Sequence, residues 1–322
     1  MSRYKPRGAG AGQTGEMIVV VCPGQGSQTP GFLSPWLAEE RFRHHLAGLS
    51  DAAGIDLAAH GTESDADTIR DTDIAQPLIV AAGLLTLAAL LDGRRDRIGG
   101  VAGHSVGEAT AAAAAGILTE ADAMALVRER GHAMARAAAL EATGMSAVIG
   151  GSEDDLLAAL IRLGLEPANF NGGGQIVVAG AIPALEALKA NPPAGARVIP
   201  LQVAGAFHTR YMSPAVEHLA EVAAGLEKHD PTLTIWTNKD GTVVSDGAAF
   251  IDLLVGQVSS PVRWDKTMDA FAAAGITGLI EIAPAGALVG LAKRGLKGVP
   301  TVAVKTPDDL AAAFDLIDGK SS

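Results

Sequence analysis

The segment GGVAGHSVGEATAAAAA, residues 99–115, places a short apolar strand, a tight turn and an alanine-rich helix in direct succession. The turn, Gly103-His104-Ser105-Val106-Gly107, has the Gly-x-Ser-x-Gly pattern, whose small residues let a serine occupy a strained backbone with its hydroxyl exposed. The helix that follows points its N-terminus at Ser105, and that end of a helix stabilises developing negative charge. The segment therefore predicts an α/β fold with Ser105 as a nucleophile at the carboxyl end of a strand.

Apolar runs elsewhere in the chain have the length and composition of buried parallel strands. They lie at residues 17–22, 234–238 and 278–282, and each is followed by loop residues or a helix, as is the strand at 99–102. The first run ends at the glycine-rich loop Pro23-Gly24-Gln25-Gly26-Ser27-Gln28. This order predicts a doubly wound α/β layer, in which functional residues gather at the carboxyl ends of the strands.

A different order of predicted strands and helices between residues 140 and 205 indicates a second, smaller unit. Strands are expected at residues 145–150, 167–170, 176–179 and 197–203, and helices at 153–163 and 184–190. The order βαββαβ is that of a ferredoxin-like unit, inserted here into the larger domain. The predicted divisions are a catalytic α/β domain at 17–139 and 206–322, the insertion at 140–205 and a disordered leader at 1–16.

Composition excludes several classes of function. The 322 residues carry a formal charge of −11 and no run of Lys or Arg, which argues against binding to nucleic acid. Cys22 is the only cysteine, so an internal disulfide and a cysteine-ligated metal site are excluded. No apolar run reaches the roughly 18 residues of a membrane span, and the leader lacks the apolar core of a signal peptide. We expect a cytoplasmic protein without a metal site.

A nucleophilic serine needs a base, and the chain contains eight histidines. His208 follows residues 203–207, where the inserted unit returns to the main domain, and we expect its neutral imidazole to accept the serine proton. Most of the others lie in charged helical stretches or polar turns, where solvation is expected. A hydrolase triad places its histidine late in the chain, but none follows His229. A backbone or amide carbonyl is therefore expected to orient His208 in a Ser–His dyad.

The predicted helix at residues 120–139 carries an arginine on its apolar face. Arg130 lies between Val127 and Met134 at spacings of three and four residues, so the three side chains share one stripe. A buried guanidinium without a partner is costly, and two interpretations stay open. Arg130 forms an internal salt bridge, for which Glu108 is the candidate partner, or it binds a substrate carboxylate through paired charge-assisted hydrogen bonds.

Three motifs together resemble the malonyl-CoA:acyl-carrier-protein transacylases of fatty-acid and polyketide synthesis. They are Pro23-Gly24-Gln25-Gly26-Ser27-Gln28, Gly103-His104-Ser105-Val106-Gly107-Glu108 and Gly205-Ala206-Phe207-His208, and the resemblance extends from residue 19 to residue 309. It implies an α/β-hydrolase-like large domain with an inserted ferredoxin-like small domain. It also implies transfer of a malonyl group from malonyl-CoA to the pantetheine thiol of acyl carrier protein, by a ping-pong reaction that needs no metal or bound cofactor.

The same resemblance implies roles for individual residues. Ser105 carries the acyl group, His208 is its base, and Arg130 binds the malonyl carboxylate. The backbone N–H groups of Gln25 and Val106 form the oxyanion hole. The remaining residues implied are Gln257, whose backbone carbonyl orients His208, and His104, Gln76, Asn169 and Asn171, which border the substrate.

Phe207 bears on the choice of acyl group. In acyltransferase domains of polyketide synthases, a His-Ala-Phe-His stretch accompanies malonyl units and Tyr-Ala-Ser-His accompanies methylmalonyl units, whereas residues 205–208 here read Gly-Ala-Phe-His. Phe207 matches the malonyl form, and its ring would fill the space that an α-methyl group needs. The alternative is that Phe207 is simply core packing. Gly205 departs from the motif, which leaves larger acyl groups open.

Acyl carrier proteins are acidic, so a chain with a charge of −11 needs a local basic patch to bind one. The candidates are Arg197, Lys293, Arg294 and Lys297, which are equally compatible with solvated surface charges. Two rival functions stay open: a serine thioesterase or esterase, and a catalytically inactive docking module of a synthase complex. Nothing in the sequence indicates a coiled coil or swapped element, so a monomer is expected.

Overall fold

The computed structural model describes residues 17–320, so the leader predicted at residues 1–16 lies outside the described residues. This part of the chain forms two separate β-sheets. The strands are β1 (Ile18–Cys22), β2 (Ile98–Gly103), β3 (Thr143–Gly150), β4 (Glu166–Gly172), β5 (Gln175–Ala181), β6 (Ala196–Pro200), β7 (Thr234–Trp236), β8 (Gly278–Glu281) and β9 (Thr301–Ala303).

Helices cover both sheets and supply most of the remaining regular structure. Within the described residues the α-helices are α1 (Ser34–Leu37), α2 (Glu40–Ala53), α3 (Leu57–Thr62), α4 (Thr72–Leu90), α5 (Gly107–Ala115), α6 (Glu120–Ala138), α7 (Glu153–Leu163), α8 (Ile182–Ala190), α9 (Ser213–Ala224), α10 (Gly247–Gln257), α11 (Trp264–Ala274), α12 (Ala287–Gly295) and α13 (Leu310–Ile317). Short 3₁₀ helices lie at Thr68–Arg70, Arg95–Arg97, Arg210–Met212 and Pro307–Asp309.

The larger sheet is parallel, with the strand order β7-β2-β1-β8-β9. Every residue of β1 is buried, which explains its continuous apolar sequence, because helices pack on both faces of a parallel sheet. Four of its strands had been predicted from apolar runs. The prediction missed β9, whose three residues are only partly buried at the sheet edge and carry too short an apolar run to distinguish. The mixed α/β fold expected from the sequence is confirmed.

The smaller sheet is antiparallel, with the order β4-β5-β3-β6, and α7 and α8 pack against it. It has an apolar core of its own that includes Leu160, Val178 and Leu188. The strand predicted at residues 197–203 is shorter than expected, because β6 ends at Pro200. Pro200 has no N–H to donate, and after one further hydrogen bond, from the Leu201 N–H to the Met145 carbonyl, the regular pairing with β3 stops.

The longest apolar helix, α4, lies in the core of the protein. With 19 residues and a mean hydropathy of 1.8 it is long and apolar enough to cross a membrane, which the sequence analysis had not anticipated. However, 83% of its apolar 18-residue window is buried inside the protein, and it contacts α6, α5 and α2. A core helix meets the same criteria of length and composition, so α4 is weak evidence for a membrane span.

The fold brings the carboxyl ends of the parallel strands together. In the sheet register Cys22, the last residue of β1, is paired with Gly103, the last residue of β2, and Ala102 is paired with Trp236 at the end of β7. The glycine-rich loop after β1, the serine turn after β2 and the segment after β7 therefore leave the same edge of the sheet. This edge faces the small antiparallel sheet across a cavity.

Candidate active site

Ser105 occupies the left-handed backbone conformation that its motif predicts. Its φ is 54°, which is unusual for a residue with a Cβ, and α5 begins two residues later. Both motif glycines are required by close contacts. A Cβ on Gly107 would lie 2.2 Å from the Cys22 carbonyl oxygen, and one on Gly103 would lie 2.0 Å from the Gly107 carbonyl carbon. No larger residue fits these two positions, so the turn holds the serine hydroxyl toward the cavity.

His208 is the base that the sequence analysis selected, and the structure places it against the serine. The distance from Ser105 Oγ to His208 Nε2 is 2.7 Å, and His208 Nδ1 lies 2.9 Å from the Gln257 carbonyl oxygen. The tautomer that satisfies both contacts carries its proton on Nδ1, which leaves Nε2 free to accept. The orienting group is a backbone carbonyl, as expected for a dyad.

Burial keeps the His208 imidazole neutral. Loss of solvation, reinforced by the positive charge of Arg130, lowers the pKa of His208 to about 3. The ring is therefore in its basic form across the physiological range. Its backbone φ of 61° is also left-handed, so both members of the dyad occupy strained conformations of the kind that cluster at functional sites.

Arg130 lies in the same cluster, buried to 1% exposure on α6. Its Nη1 donates to Gln76 Oε1 at 2.6 Å, and its Nη2 donates to Gln257 Oε1 at 2.8 Å. Nη2 also lies 3.4 Å from Ser105 Oγ. Among the described residues Nε has no hydrogen-bond partner. The guanidinium is thus held by two neutral amides and keeps donor capacity beside the nucleophile.

The salt-bridge interpretation of Arg130 was wrong. Among the described residues Arg130 donates to Gln76, Gln257 and Ser105 and forms no ion pair with Glu108. The hydrogen bonds of the Glu108 carboxylate come from Asn238 N–H and from Gln257 Nε2. Burial lowers the pKa of Arg130 to about 10, where it is still protonated at neutral pH, and burial raises the pKa of Glu108 to about 8. Arg130 is therefore a buried cation whose hydrogen-bond partners are neutral, and Glu108 acts on its charge without contacting it.

Two backbone N–H groups at the cavity are candidates for contact with a substrate oxygen. Gln25, in the loop after β1, and Val106, directly after the nucleophile, both line the cavity. Within residues 17–320 neither N–H donates a hydrogen bond to the protein. Gly24 lets the loop approach, because a Cβ there would lie 2.9 Å from the His104 carbonyl oxygen. The pair has the composition of an oxyanion hole.

The cavity has a volume of about 400 Å³ and is closed on its far side by the small sheet. His104 Nε2 lies 3.0 Å from Asn171 Oδ1, and Asn171 Nδ2 donates to Gln175 Oε1. Burial lowers the pKa of His104, so this ring is also neutral. Asn169 Oδ1 is buried without a partner among the described residues. All the substrate-bordering residues expected from the sequence, His104, Gln76, Asn169, Asn171 and Phe207, line this cavity.

Phe207 both lines the cavity and belongs to the main core, since its side chain is 6% exposed. Gly205 has a steric explanation. A Cβ at this position would lie 2.7 Å from the Ala138 Cβ and 3.2 Å from its Cα, at the end of α6. The missing side chain at 205 is therefore a consequence of contact with α6, and it does not by itself widen the acyl site.

The four basic residues proposed as a docking patch are all exposed, but they do not form one cluster. Lys293 and Arg294 lie at the end of α12, Lys297 follows it, and Arg294 reaches the cavity mouth. Arg197 is on β6, at the opposite edge of the small sheet from β4, which contacts α12. Three strand spacings separate those edges, about 14 Å. Of the four residues, Arg294 lines the cavity, Lys293 and Lys297 are close to it in sequence, and Arg197 lies apart.

The sequence analysis did not identify Asn238, Glu108 and Gln175 as residues of the site. Asn238 lies two residues after the end of β7, and its side chain contacts the serine turn. A polar residue at the carboxyl end of a predicted strand was the available signal. Glu108 was considered only as a salt-bridge partner, and its buried contacts with other segments were not evident from its place in the motif.

Comparisons with known proteins agree with this geometry. Residues 19–308 match the acyl transferase domain family. Malonyl CoA-acyl carrier protein transacylase from Mycobacterium tuberculosis H37Rv is 50% identical over 298 residues, which cover 91% of this chain and 98% of that protein. The crystal structure of MCAT from Mycobacterium tuberculosis has a TM-score of 0.89 and 49% identity, covering 92% of this chain and 99% of that one. PlMCAT, a malonyl-transacylase solved with a type II PKS acyl-carrier protein, has a TM-score of 0.87 and 30% identity, covering 93% and 99%.

Proposed function

Because the chain belongs to the malonyl-CoA:acyl-carrier-protein transacylase family, we propose that it transfers a malonyl group from malonyl-CoA to the pantetheine thiol of acyl carrier protein through an acylated Ser105. One observation carries this assignment to the site. Ser105 Oγ lies 2.7 Å from a neutral base, His208, and 3.4 Å from a buried cation, Arg130, in a single cavity. A nucleophile, its base and a carboxylate-binding group are the parts that malonyl transfer needs.

The first half-reaction acylates the serine. Ser105 Oγ attacks the thioester carbonyl and its proton passes to His208 Nε2, while the carbonyl oxygen becomes negatively charged. The N–H groups of Gln25 and Val106 stabilise this charge, and removal of one such donor in other enzymes costs about 10²–10³ in kcat. The intermediate collapses by breaking the C–S bond, and the CoA sulfur leaves with the proton from His208.

The second half-reaction reverses these steps with a different thiol. His208 removes the proton of the pantetheine thiol, whose sulfur attacks the malonyl ester. When the C–O bond breaks, Ser105 Oγ recovers the proton from the imidazolium. The Gln257 carbonyl holds the Nδ1 proton of His208 throughout, so the ring stays aligned with the serine.

Arg130 selects acyl groups that end in a carboxylate. Gln76 and Gln257 fix the guanidinium plane by accepting from Nη1 and Nη2, and Nη2 also donates toward Ser105 Oγ at 3.4 Å, so a charged donor lies beside the place of the acyl group. Charge-assisted hydrogen bonds of this type are worth about 1.5–3 kcal/mol each. Phe207 limits the space next to the dyad, which supports malonyl over α-methylated units.

The finer description of the fold belongs to the same proposal. The strand order β4-β5-β3-β6 with two helices supports a ferredoxin-like unit at residues 140–205, inserted into an α/β-hydrolase-like domain formed by 17–139 and 206–322. The patch beside the cavity supports docking of an acidic carrier protein by Lys293, Arg294 and Lys297. The dyad and oxyanion donors supply the chemistry of thioester exchange, so we propose that no metal or bound cofactor takes part, and that the enzyme acts as a cytoplasmic monomer.

Radiolabelled malonyl-CoA tests this function directly. We expect a burst of CoA release and stable label on the wild-type protein, which moves to acyl carrier protein when carrier is added. Ser105→Ala should take no label, and Thr86→Val, a buried substitution within α4, should label normally. Rapid release of free malonate without carrier would identify a thioesterase. Absence of label on the wild-type protein would identify an inactive docking module, and label on Ser105→Ala would overturn the role of this serine.

A further inference from the structure

Asn238 joins the end of β7 to the serine turn, although the two lie 133 residues apart in sequence. We propose that Asn238 is a positioning residue: its side-chain amide holds the backbone of Ser105 so that the hydroxyl faces His208 and the Val106 N–H faces the cavity. This inference rests on the proposed role of Ser105 as the acylated nucleophile. Asn238 is 1% exposed and does not line the cavity, so it acts through the turn.

A single amide group spans both sides of the nucleophile. Asn238 Oδ1 accepts the Ser105 N–H at 2.7 Å, and Asn238 Nδ2 donates to the Gly103 carbonyl at 2.5 Å. The turn itself pairs Gly107 N–H with the His104 carbonyl, which leaves the Ser105 N–H and Gly103 C=O to be satisfied from outside. Asn238 supplies both partners.

The backbone of Asn238 is fixed as firmly as its side chain. Its N–H donates to Glu108 Oε1 at 2.7 Å, and its carbonyl accepts the Arg263 N–H at 2.8 Å. Glu108 belongs to the first turn of α5, the helix that follows the nucleophile. The turn is therefore held by β7 on one side and α5 on the other, with Asn238 bonded to both.

The same network reaches the base. Gln257 Nε2 donates to the Glu108 carboxylate and lies 3.1 Å from Asn238 Oδ1, while the Gln257 backbone carbonyl accepts the Nδ1 proton of His208. The same buried hydrogen-bond network therefore positions both the nucleophile and its base. A left-handed serine is strained and persists only where its surroundings fix it. A displacement of about 1 Å between reacting groups can reduce a rate by about 10².

The test is the rate of Ser105 acylation at saturating malonyl-CoA in Asn238→Ala, with Thr86→Val as the control. Thr86 is also fully buried and polar, but within residues 17–320 its hydroxyl bonds only to the Ala82 carbonyl in α4. We expect Asn238→Ala to acylate about 100-fold more slowly with an unchanged KM, and equally so with malonyl- and acetyl-CoA, because the turn does not touch the carboxylate. Thr86→Val should acylate at the wild-type rate.

A second measurement separates positioning from a general structural role. If Asn238 acts by aiming Ser105 at His208, then Asn238→Ala should cost much less in a His208→Ala background, where no base remains to be aimed at. An equal loss in both backgrounds would overturn the proposal, as would a wild-type acylation rate in Asn238→Ala. A loss that appears in KM alone would overturn it too.

Asn238→Asp decides the question if Asn238→Ala does not fold. It keeps the oxygen that accepts the Ser105 N–H and loses the amide donor to Gly103, so a smaller loss of about tenfold is expected. The same loss with both substrates, absent in Thr86→Val, supports the proposal, and a wild-type rate overturns it. Ser105→Ala distinguishes a failure of the proposed function from a failure of the positioning role of Asn238. If that variant still takes label, the proposed function fails, whereas a normal Asn238 variant beside an inactive Ser105→Ala overturns the positioning role alone.

Discussion

The two sides of the active-site cavity are built differently. On the side of the large sheet, buried polar groups from α4, α5, α6 and α10 bond to one another around Ser105, His208 and Arg130. On the side of the small sheet the lining is mostly apolar, with Met145, Ala147 and Val177 beside a few amides. The large-sheet side holds its polar atoms in place by hydrogen bonds, whereas the small-sheet side limits the size of the cavity with apolar side chains.

This contrast assigns different tasks to the two sheets. Buried hydrogen-bond networks are costly unless complete, and in the network around Ser105, His208 and Arg130 only the Arg130 Nε lacks a partner among the described residues. Apolar walls tolerate changes of volume more readily than networks tolerate loss of a partner. We therefore expect substitutions on the large-sheet side to change the rate or the choice of acyl group, and those at the mouth to change encounter with the carrier.

Arg130→Ala gives the largest effect of the three predictions. Loss of the carboxylate contacts should lower kcat/KM for malonyl-CoA by about 100-fold, which corresponds to the upper part of the range of about 1.5–3 kcal/mol for a charge-assisted hydrogen bond. Acetyl-CoA has no carboxylate, so its kcat/KM should change by much less. Acylation rates with the two thioesters measure the difference.

Gln76→Ala is the matched control for this prediction, because it removes one partner of Arg130 and leaves the charge in place. Its loss with malonyl-CoA should be smaller than that of Arg130→Ala. If Arg130→Ala lowers kcat/KM equally for malonyl-CoA and acetyl-CoA, then Arg130 supports the nucleophile and does not select the acyl group.

Arg294→Glu should give an intermediate effect at the place where the two sides meet. The Arg294 side chain passes Gly173, in the turn between β4 and β5, and reaches the cavity mouth. Reversing this charge should raise the KM for acyl carrier protein several-fold, about 1 kcal/mol, and leave acylation by malonyl-CoA unchanged. Steady-state rates at varied carrier concentration provide the measurement.

Arg197→Glu changes the net charge equally but lies at the far edge of the small sheet. It should have a smaller effect on the KM for carrier than Arg294→Glu. If the two variants behave alike, net charge governs encounter and no local patch exists. If Arg294→Glu also slows acylation by malonyl-CoA, its role is at the substrate and not at the docking surface.

Local pattern predicted the parts of this site that depend on neighbouring residues in sequence. The Gly-x-Ser-x-Gly turn needs only its own glycines to produce the left-handed Ser105, and the apolar stripe of α6 was sufficient to mark Arg130 as buried. Asn238 is different. Its importance comes from the register that places the end of β7 beside the end of β2, and no local signal specifies which strands are neighbours.

The same reasoning explains the other differences between prediction and structure. The partner of Arg130 was sought in a charged residue, yet two glutamines from α4 and α10 fix it, which depends on how three helices pack. The edge strand β9 is three residues long and half-buried, so its apolar period is too short to recognise. Gly205 resembled a change in the acyl site until its contact with Ala138 was known.

The pH dependence of acylation is the smallest predicted effect, and it tests most directly whether the large-sheet side keeps water from His208. Burial and the charge of Arg130 lower the pKa of His208 to about 3, so the imidazole stays neutral between pH 5 and pH 7. The acylation rate should change less than about twofold across this interval, whereas a histidine with an ordinary pKa of about 6.5 would lose about 25-fold.

The lowered pKa of His208 also makes the stability of the protein depend on pH. The unfolded chain takes up the proton below its ordinary pKa and the folded chain does not, so the free energy of unfolding falls as the pH drops below about 6.5. Rapid-quench acylation after a brief pH jump, with circular dichroism to verify folding, separates the two effects. A rate that falls with a midpoint near pH 6.5 in protein that is still folded would show that water reaches His208, and that the large-sheet side does not keep its base desolvated.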